Sequence, residues 1–455
     1  MQGAAPAIDY SGMLADYAAG LRYEDIPETA LRAARQCLVD AVGCAVFGSR
    51  FPWSHIIRDT AVLPPGTVAV PGSTITADAA KAAYLASAFA HAFELDSLRK
   101  PGAGVHPGAT VALPALAVAQ EIGASGKVLL AAIVAGCEVM FRIGAATLHT
   151  AEKQGFHAPG ITGVFGSAVA SAHLLGLSPQ EMRHALGLSG SMTGGLLAFA
   201  ASGTGGMVKR LHLGRAAESG VSAARLAAGG YEGPAHILEG TFGVLQTFCE
   251  RHDVALLSDG LGTRYEIETL CIKRYACHVT AQAPIEMLSG WRLERGFWAG
   301  DIVSIALDVP PKIASHHAGK HPADMALAQY SVPFMLAFAA VRGLDDPAAL
   351  TEAAIVDPAV HALADRILIT ADESLKGWAM RMRLTLADGS VLAGEPRSFA
   401  GTPERALSDD QLADRFRKLT ADRAPRRMQD LLAGLLEIDA LDDVRKLPLG
   451  DSAQH

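Results

Sequence analysis

The chain has 455 residues, 50% of them hydrophobic and 19% charged, with a formal net charge of -8 and a mean hydropathy of +0.23. At roughly 100–200 residues per domain, that length predicts two or three folding units. The acidic balance argues against nucleic acid as the main partner, because phosphate binding needs a basic face, and RAPRR (423–427) reads as solvated helix surface.

No uninterrupted apolar run reaches the ~18 residues of a membrane span, and MQGAAPAIDYSG has neither the basic start nor the apolar stretch of a secretory signal. A cytoplasmic protein with no membrane partner is expected. Its apolar surface is more than a monomer readily hides, which predicts a homodimer. The six cysteines contain no CxxC pair, so buried reduced thiols are expected rather than a zinc or iron–sulfur site.

From about residue 7 to 250 the pattern is one of Ala/Leu/Val-rich helices punctuated by Gly, Pro and Ser. PETALRAARQCLVDAVGCAVFG (27–48) and KVLLAAIVAGCEVMFRIG (127–144) predict buried helices, the small residues of the second suiting close packing. Ser178-Pro179-Gln180-Glu181 predicts a capped helix start, and Ser408 to Gln411 repeats the device. DIVSIALDVP (301–310) alternates like a strand, and MRMRLTLADGSVLAGEP (380–396) reads as two strands about an Asp-Gly turn. ADMALAQYSVPFMLAFAAVRG (323–343) reads as helix despite Pro333. The expected architecture is mainly α with a smaller α/β domain. Residues 1–265 form an all-helical domain completed by 400–455, and 266–399 form the smaller domain, its strands antiparallel.

Ionisable residues stand out against this apolar background, beside Gly or Pro. Asp96 and His106 flank the loop RKPGAGV. His157 precedes Ala-Pro-Gly at a helix start, where backbone N–H groups favour anions. Lys209 follows the Gly-rich turn GTGGMV, and Lys273 and His278 bracket KRYACH near the domain boundary. Two lysines to hold carboxylates, with histidines for proton transfer near neutral pH, predict a composite active site. GTGGMVKR does not meet the phosphate-loop pattern GxxxxGK[ST], although its backbone suits an anion. His316, His317 and His321 lack metal-site spacing and predict a solvated loop. His212 reads as a partner of backbone groups, and His173 and His184 as core or interface residues.

Through HAFELDS, VHPGATVALPALA, GFHAPGITGVFGSA, KRLHLG, GTFGV, KRYACH and ADMALAQYSVPFMLA the chain resembles the MmgE/PrpD family over nearly its whole length. The family includes 2-methylcitrate dehydratase, cis-aconitate decarboxylase and an iminodisuccinate epimerase. The resemblance implies a large helical domain with an α/β lid, a dimer, and a cofactor-free site between the domains. It places Asp96, His106, His157 and His278 as catalytic residues and Lys209, Lys273 and Tyr275 as substrate-binding ones. Asp96 is followed by Ser97 where the family often has an acid or amide. His106-Pro107 continues as Gly-Ala rather than in the HPSD form of 2-methylcitrate dehydratases, and KRYACH is closer to the KRFPAH of cis-aconitate decarboxylase.

The implied activity is that of a metal-independent lyase, first of all hydration and dehydration of a small di- or tricarboxylate. Removal of a proton beside a carboxylate makes a dianion that positioned cations must stabilise, a role suited to Lys209 and Lys273. Decarboxylation and epimerisation use the same parts, and a non-catalytic carboxylate-binding dimer is the alternative of another class.

Overall fold

The computed structural model describes residues 8–201 and 206–450. Its first part is helical: α1 (Tyr10–Gly20), α2 (Glu28–Gly48), α3 (Pro52–Thr60), α4 (Ala79–Ala90), α5 (Leu113–Ile122), α6 (Gly126–Ala146), α7 (Ala158–Leu174), α8 (Pro179–Ser191), α9 (Ala198–Ala201), α10 (Val208–Ala228) and α11 (Val244–Phe248). A short hairpin, β1 (Val68–Ala69) with β2 (Thr76–Ala77), lies beside α5. Helix α10 packs along both α7 and α4, and α6 also packs against α7. Small residues permit this close approach. A Cβ on Gly220 would sit 2.6 Å from the Ala168 backbone nitrogen, and one on Gly136 would sit 2.8 Å from the Gly166 carbonyl oxygen.

Helix α6 is long and apolar enough to cross a membrane, yet 89% of its apolar window is buried within the protein. It also carries the ion pair Glu138–Arg142 at 3.3 Å. Arg142 donates to the carbonyls of Asp259 and Arg264, and Glu138 accepts from the Ile267 N–H, so the pair anchors a loop. Both predicted capping boxes are formed, at Ser178 with Glu181 and at Ser408 with Gln411.

Two short strands, β3 (Leu98–Arg99) and β4 (Leu270–Cys271), pair antiparallel, with Leu98 opposite Cys271. This clip matters for function, because it fastens the segment after Asp96 to the segment before Lys273. Beyond it come α12 (Val279–Arg295), β5 (Ile302–Val309), α13 (Pro311–His316), α14 (Met325–Tyr330), α15 (Val332–Arg342), α16 (Glu352–Ile355) and α17 (Pro358–Ala364). The strands β6 (Ile367–Ala371), β7 (Arg381–Leu386) and β8 (Val391–Gly394) join β5 in a sheet of order β6-β5-β7-β8. Last, α18 (Asp409–Leu419) and α19 (Pro425–Leu436) return to pack on α2. The chain is mainly α with a smaller α/β part.

Two local expectations need correction. The sheet is mixed, because β6 runs parallel to β5 at its edge, while the β7/β8 hairpin turns at Asp388-Gly389 as the sequence pattern predicts. The helix expected over 323–343 is two helices. Ser331 ends α14 and caps α15 by accepting from the Phe334 N–H, and Pro333 occupies the first turn, where its missing N–H costs nothing.

Candidate active site

Helix α4 ends at His91, and the chain turns through Glu94 in the left-handed conformation (φ 56°, ψ 30°) before reaching Asp96. For a residue with a side chain that conformation costs about 1–2 kcal/mol, so the surrounding structure must hold it. Three neighbouring carbonyls are bonded by side chains from elsewhere: Arg210 of α10 donates to Ala92, Gln329 of α14 to Phe93, and Arg415 of α18 to Leu95, at 2.8, 2.9 and 2.9 Å. The turn therefore aims His91, Glu94 and Asp96 from one fixed piece of backbone.

Asp96, fully buried, receives His91 Nδ1 at 3.0 Å from both carboxylate oxygens. His106 Nδ1 lies 2.9 Å from Oδ2, at ion-pairing distance but without hydrogen-bond alignment. The His91 and His106 rings meet edge to face with centroids 4.7 Å apart. Burial would raise the Asp96 carboxyl, but the facing His106 and His91 imidazoles hold it well below the usual carboxylate range. Burial drives the His91 pKa well below 6.5 against the pull of Asp96. Ser97 completes the join by accepting the Gly108 N–H at 3.2 Å, which ties the start of the His106 segment to the residue after Asp96.

His157 caps the start of α7, its N–H donating to the Gly195 carbonyl. Its Nδ1 faces His212 Nδ1 on α10 at 3.0 Å, and its ring lies 6.3 Å from that of His91. Burial, then the neighbouring His212 and His106, lowers the His157 pKa well below the ordinary value. Phe199 of α9 meets the His157 ring edge to face.

Lys209 lies on α10 one turn before His212, and both Lys209 and Lys273 reach the carboxylate of Glu94. Lys209 Nζ contacts Oε1, and Lys273 Nζ donates to Oε2 at 3.2 Å. Burial and mutual repulsion lower the Lys209 pKa well below its ordinary value, and burial lowers that of Lys273 while Asp96 opposes the shift. Lys209 Nζ also stands 5.0 Å from the Tyr330 ring centroid. His278, which caps α12, stacks on His317 at 4.2 Å and lies 5.0 Å from Tyr330. Burial, with His317 and the two lysines nearby, keeps its pKa well below 6.5.

The structure thus gathers Asp96, His106, His157, Lys209, Lys273 and His278. Tyr275 is not drawn in with them. It is buried beneath the Arg274 guanidinium, its backbone bonded on both sides by Gln282, and its described contacts link it to none of the six. The KRYACH turn alternates its side chains, so Lys273 faces inward while Arg274 pairs outward with Asp345 at 3.3 Å. Gly203, Thr204 and Gly205 of the Gly-rich turn lie outside the described residues.

Sequence reasoning missed His91, Glu94, His212, His317 and Tyr330. Three had a usable signal: His91 and Glu94 share HAFELDS with Asp96, and His212 follows Lys209 by one helical turn. His317, expected in a solvated loop, is buried at 7% exposure with Nδ1 3.0 Å from the Tyr330 carbonyl, while His316 and His321 are exposed as expected. Among the described residues, His91, Asp96 and His106 hold ligand-type atoms within 4.8 Å of one another, as do Asp9, His236 and Glu239. In the second set Arg183 already supplies a cation, 2.7 Å from Asp9.

The model of the MmgE/PrpD N-terminal domain matches residues 12–257, and that of the C-terminal domain matches 275–437. A protein named cis-aconitate decarboxylase from Aspergillus terreus is 30% identical over 474 residues, covering 95% of this chain and 93% of that protein. One of the same name from Homo sapiens is 26% identical, with 88% and 85% covered, and one from Mus musculus is 23% identical, with 96% and 92% covered.

Proposed function

The chain belongs to the MmgE/PrpD family and is an enzyme of lyase type, and from that premise we propose that it decarboxylates a small unsaturated tricarboxylate of the cis-aconitate kind. The observation that carries this reading is the pair of buried ammonium groups, Lys209 and Lys273, set beside an imidazole, His106, that touches a buried carboxylate, Asp96. The full-length likeness to proteins named cis-aconitate decarboxylase favours this chemistry over the dehydration the sequence pattern put first.

In such a substrate the departing carboxylate is attached to a carbon next to a C=C bond. As its C–C bond breaks, carbon dioxide leaves and the electron pair forms a new double bond to the central carbon. The old double-bond pair moves onto the carbon bearing another carboxylate, giving a dianionic aci-carboxylate. Lys209 and Lys273 stabilise that charge, which is greater in the transition state than in the substrate. His106, protonated and supported by Asp96, then gives its proton to that carbon, and solvent reprotonates the imidazole. His91 shares Asp96 and fixes the carboxylate's direction. In this reading the enzyme works without a metal, as a cytoplasmic homodimer.

Dehydration is the second reading, favoured by one specific observation: His157 and His212 form another imidazole pair close by, and removing water needs both a base for the C–H proton and an acid for the hydroxyl. Proton NMR in deuterated water separates the two. With cis-aconitate, decarboxylation yields a methylene-bearing dicarboxylate carrying one deuterium at the protonated carbon. With citrate, dehydration yields a vinyl signal, and with 2-methylcitrate a methyl singlet on a double bond, in both cases without loss of carbon dioxide. Turnover of only the hydroxy acids would reject the first reading in favour of the second.

A further inference from the structure

Neither reaction gives Glu94 a chemical step, yet it is buried at 5% exposure and touches both substrate-clamping lysines. Its backbone is held in the left-handed region, and the carbonyls of Ala92, Phe93 and Leu95 are bonded from three separate elements. A carboxylate meant to swing away on substrate entry has no need of such a mounting. Among the described residues, neither ammonium group has another oxygen partner.

We propose that Glu94 is a positioning residue whose single carboxylate fixes the ammonium groups of Lys209 and Lys273 side by side in their charged form, so that together they accept one substrate carboxylate. The proposal rests on the reading of this site as one that processes carboxylates. Each lysine gives one donor to Glu94 and keeps the rest for the ligand. The trio carries one net positive charge, which one incoming carboxylate neutralises, so the remaining carboxylates of a tricarboxylate are held by other groups.

The charged and titratable neighbours give the direction of the pH effect. Arg210 and His212 lie on the helix of Lys209, His91 and Asp96 on the turn of Glu94, and Cys271, Cys277 and His278 on the segment of Lys273. Cys44 faces from α2 and Tyr330 from α14. Most of these are neutral or cationic near pH 8, and Asp96 already serves two histidines. Without Glu94 the two lysines repel each other in a buried setting and lose a proton at lower pH.

The test is calorimetric binding of propane-1,2,3-tricarboxylate, which has neither a double bond nor a hydroxyl and so does not depend on turnover. In the wild-type protein, binding at about pH 8.5 should take up no proton, as judged across buffers of different ionisation enthalpy, because on this proposal the Glu94 carboxylate offsets the burial and repulsion that lower both lysines and keeps them charged. In Glu94→Gln, binding is close to wild type near pH 6 and weakens about ten-fold by about pH 8.5, and Glu94→Asp restores most of that loss. In turnover the same variant raises KM at alkaline pH more than it lowers kcat. Uptake of about one proton by the wild type, or a Glu94→Gln profile that parallels wild type at every pH, overturns the proposal while leaving the carboxylate reading in place. Failure of the wild type to bind the probe at any pH overturns both.

Discussion

His106 Nδ1 lies 2.9 Å from Asp96 Oδ2, although the two residues stand at opposite ends of the loop RKPGAGV. The loop closes on itself because Ser97, before its start, accepts the N–H of Gly108 from beyond its end, and β3, next to Ser97, is fastened to β4. The result is a fully buried carboxylate shared by two imidazoles. It orients both rings and, held well below the usual carboxylate range, stays charged, so its contribution is electrostatic rather than as an acid.

Asp96→Asn keeps the shape and removes the charge. Turnover should fall by roughly 10²–10⁴-fold, the range expected when a positioned acid or base is disabled. KM for a carboxylate substrate should change far less, because the lysines are untouched. Steady-state kinetics beside a thermal melt check this. A variant with near-normal kcat removes Asp96 and the His106 it supports from the proton step.

Much of this site was legible before folding. Residues set beside Gly and Pro announced themselves because an ionisable group in an apolar background needs a reason: Asp96, His106, His157, Lys209, Lys273 and His278 all converge. Glu94 and His91 were harder to see, because at the end of an Ala-rich helix a histidine and a glutamate look like ordinary end-of-helix polarity. What distinguishes them is the left-handed turn, and nothing in the local sequence demands it, since its supports come from Arg210, Gln329 and Arg415 far along the chain. Tyr275, which the resemblance implies as substrate-binding, lies two residues from Lys273 but packs under Arg274 instead, because neighbouring side chains of the KRYACH turn point to different sides. The parallel edge strand β6 escaped notice because ILITA is too short to show a clear alternation.

Divalent zinc should inhibit. His91, Asp96 and His106 present two imidazole nitrogens and a carboxylate oxygen within 4.8 Å, and a zinc ion held there occupies the nitrogen that His106 needs beside Asp96. Dialysis against a chelator should leave the activity of the purified protein unchanged, whereas added zinc should abolish it and His91→Ala should weaken that inhibition about ten-fold or more. Activity that disappears on chelation and returns with zinc would contradict the metal-independent mechanism.

Acid should destabilise the fold through its buried histidines. Burial lowers the His317 pKa to about 4, and His91, His157 and His278 shift the same way. A histidine whose folded pKa is depressed binds its proton first in the unfolded chain, near pH 6.5. Stability is then fully present above about pH 6.5 and falls as the pH drops towards 4, by up to about 3 kcal/mol for His317 alone. His317→Phe keeps the ring stacked on His278 and removes the titration. Melting temperatures measured between about pH 7.5 and 4.5 should fall less steeply for the variant than for the wild type. Parallel curves would mean that His317 is protonated equally in both states.

The facing Nδ1 atoms of His157 and His212, 3.0 Å apart, carry a chemical constraint: one must hold a proton and the other must offer a lone pair. The proton's position sets which face His157 shows at Nε2. With Nδ1 protonated, Nε2 is a base; with Nδ1 accepting from His212, Nε2 carries a proton and is an acid. His212 therefore acts through His157, and the two should be coupled in a double-mutant cycle. His212→Ala should lower turnover by roughly 10–100-fold and His157→Ala by more, with the double variant no worse than His157→Ala. The pH profile adds a second check. Because burial and His212 both hold the His157 pKa down, removing His212 relieves one of those pressures, and the acid limb of kcat should move upward. Independent, multiplying losses with an unmoved acid limb would show that the two imidazoles do not share a proton during turnover.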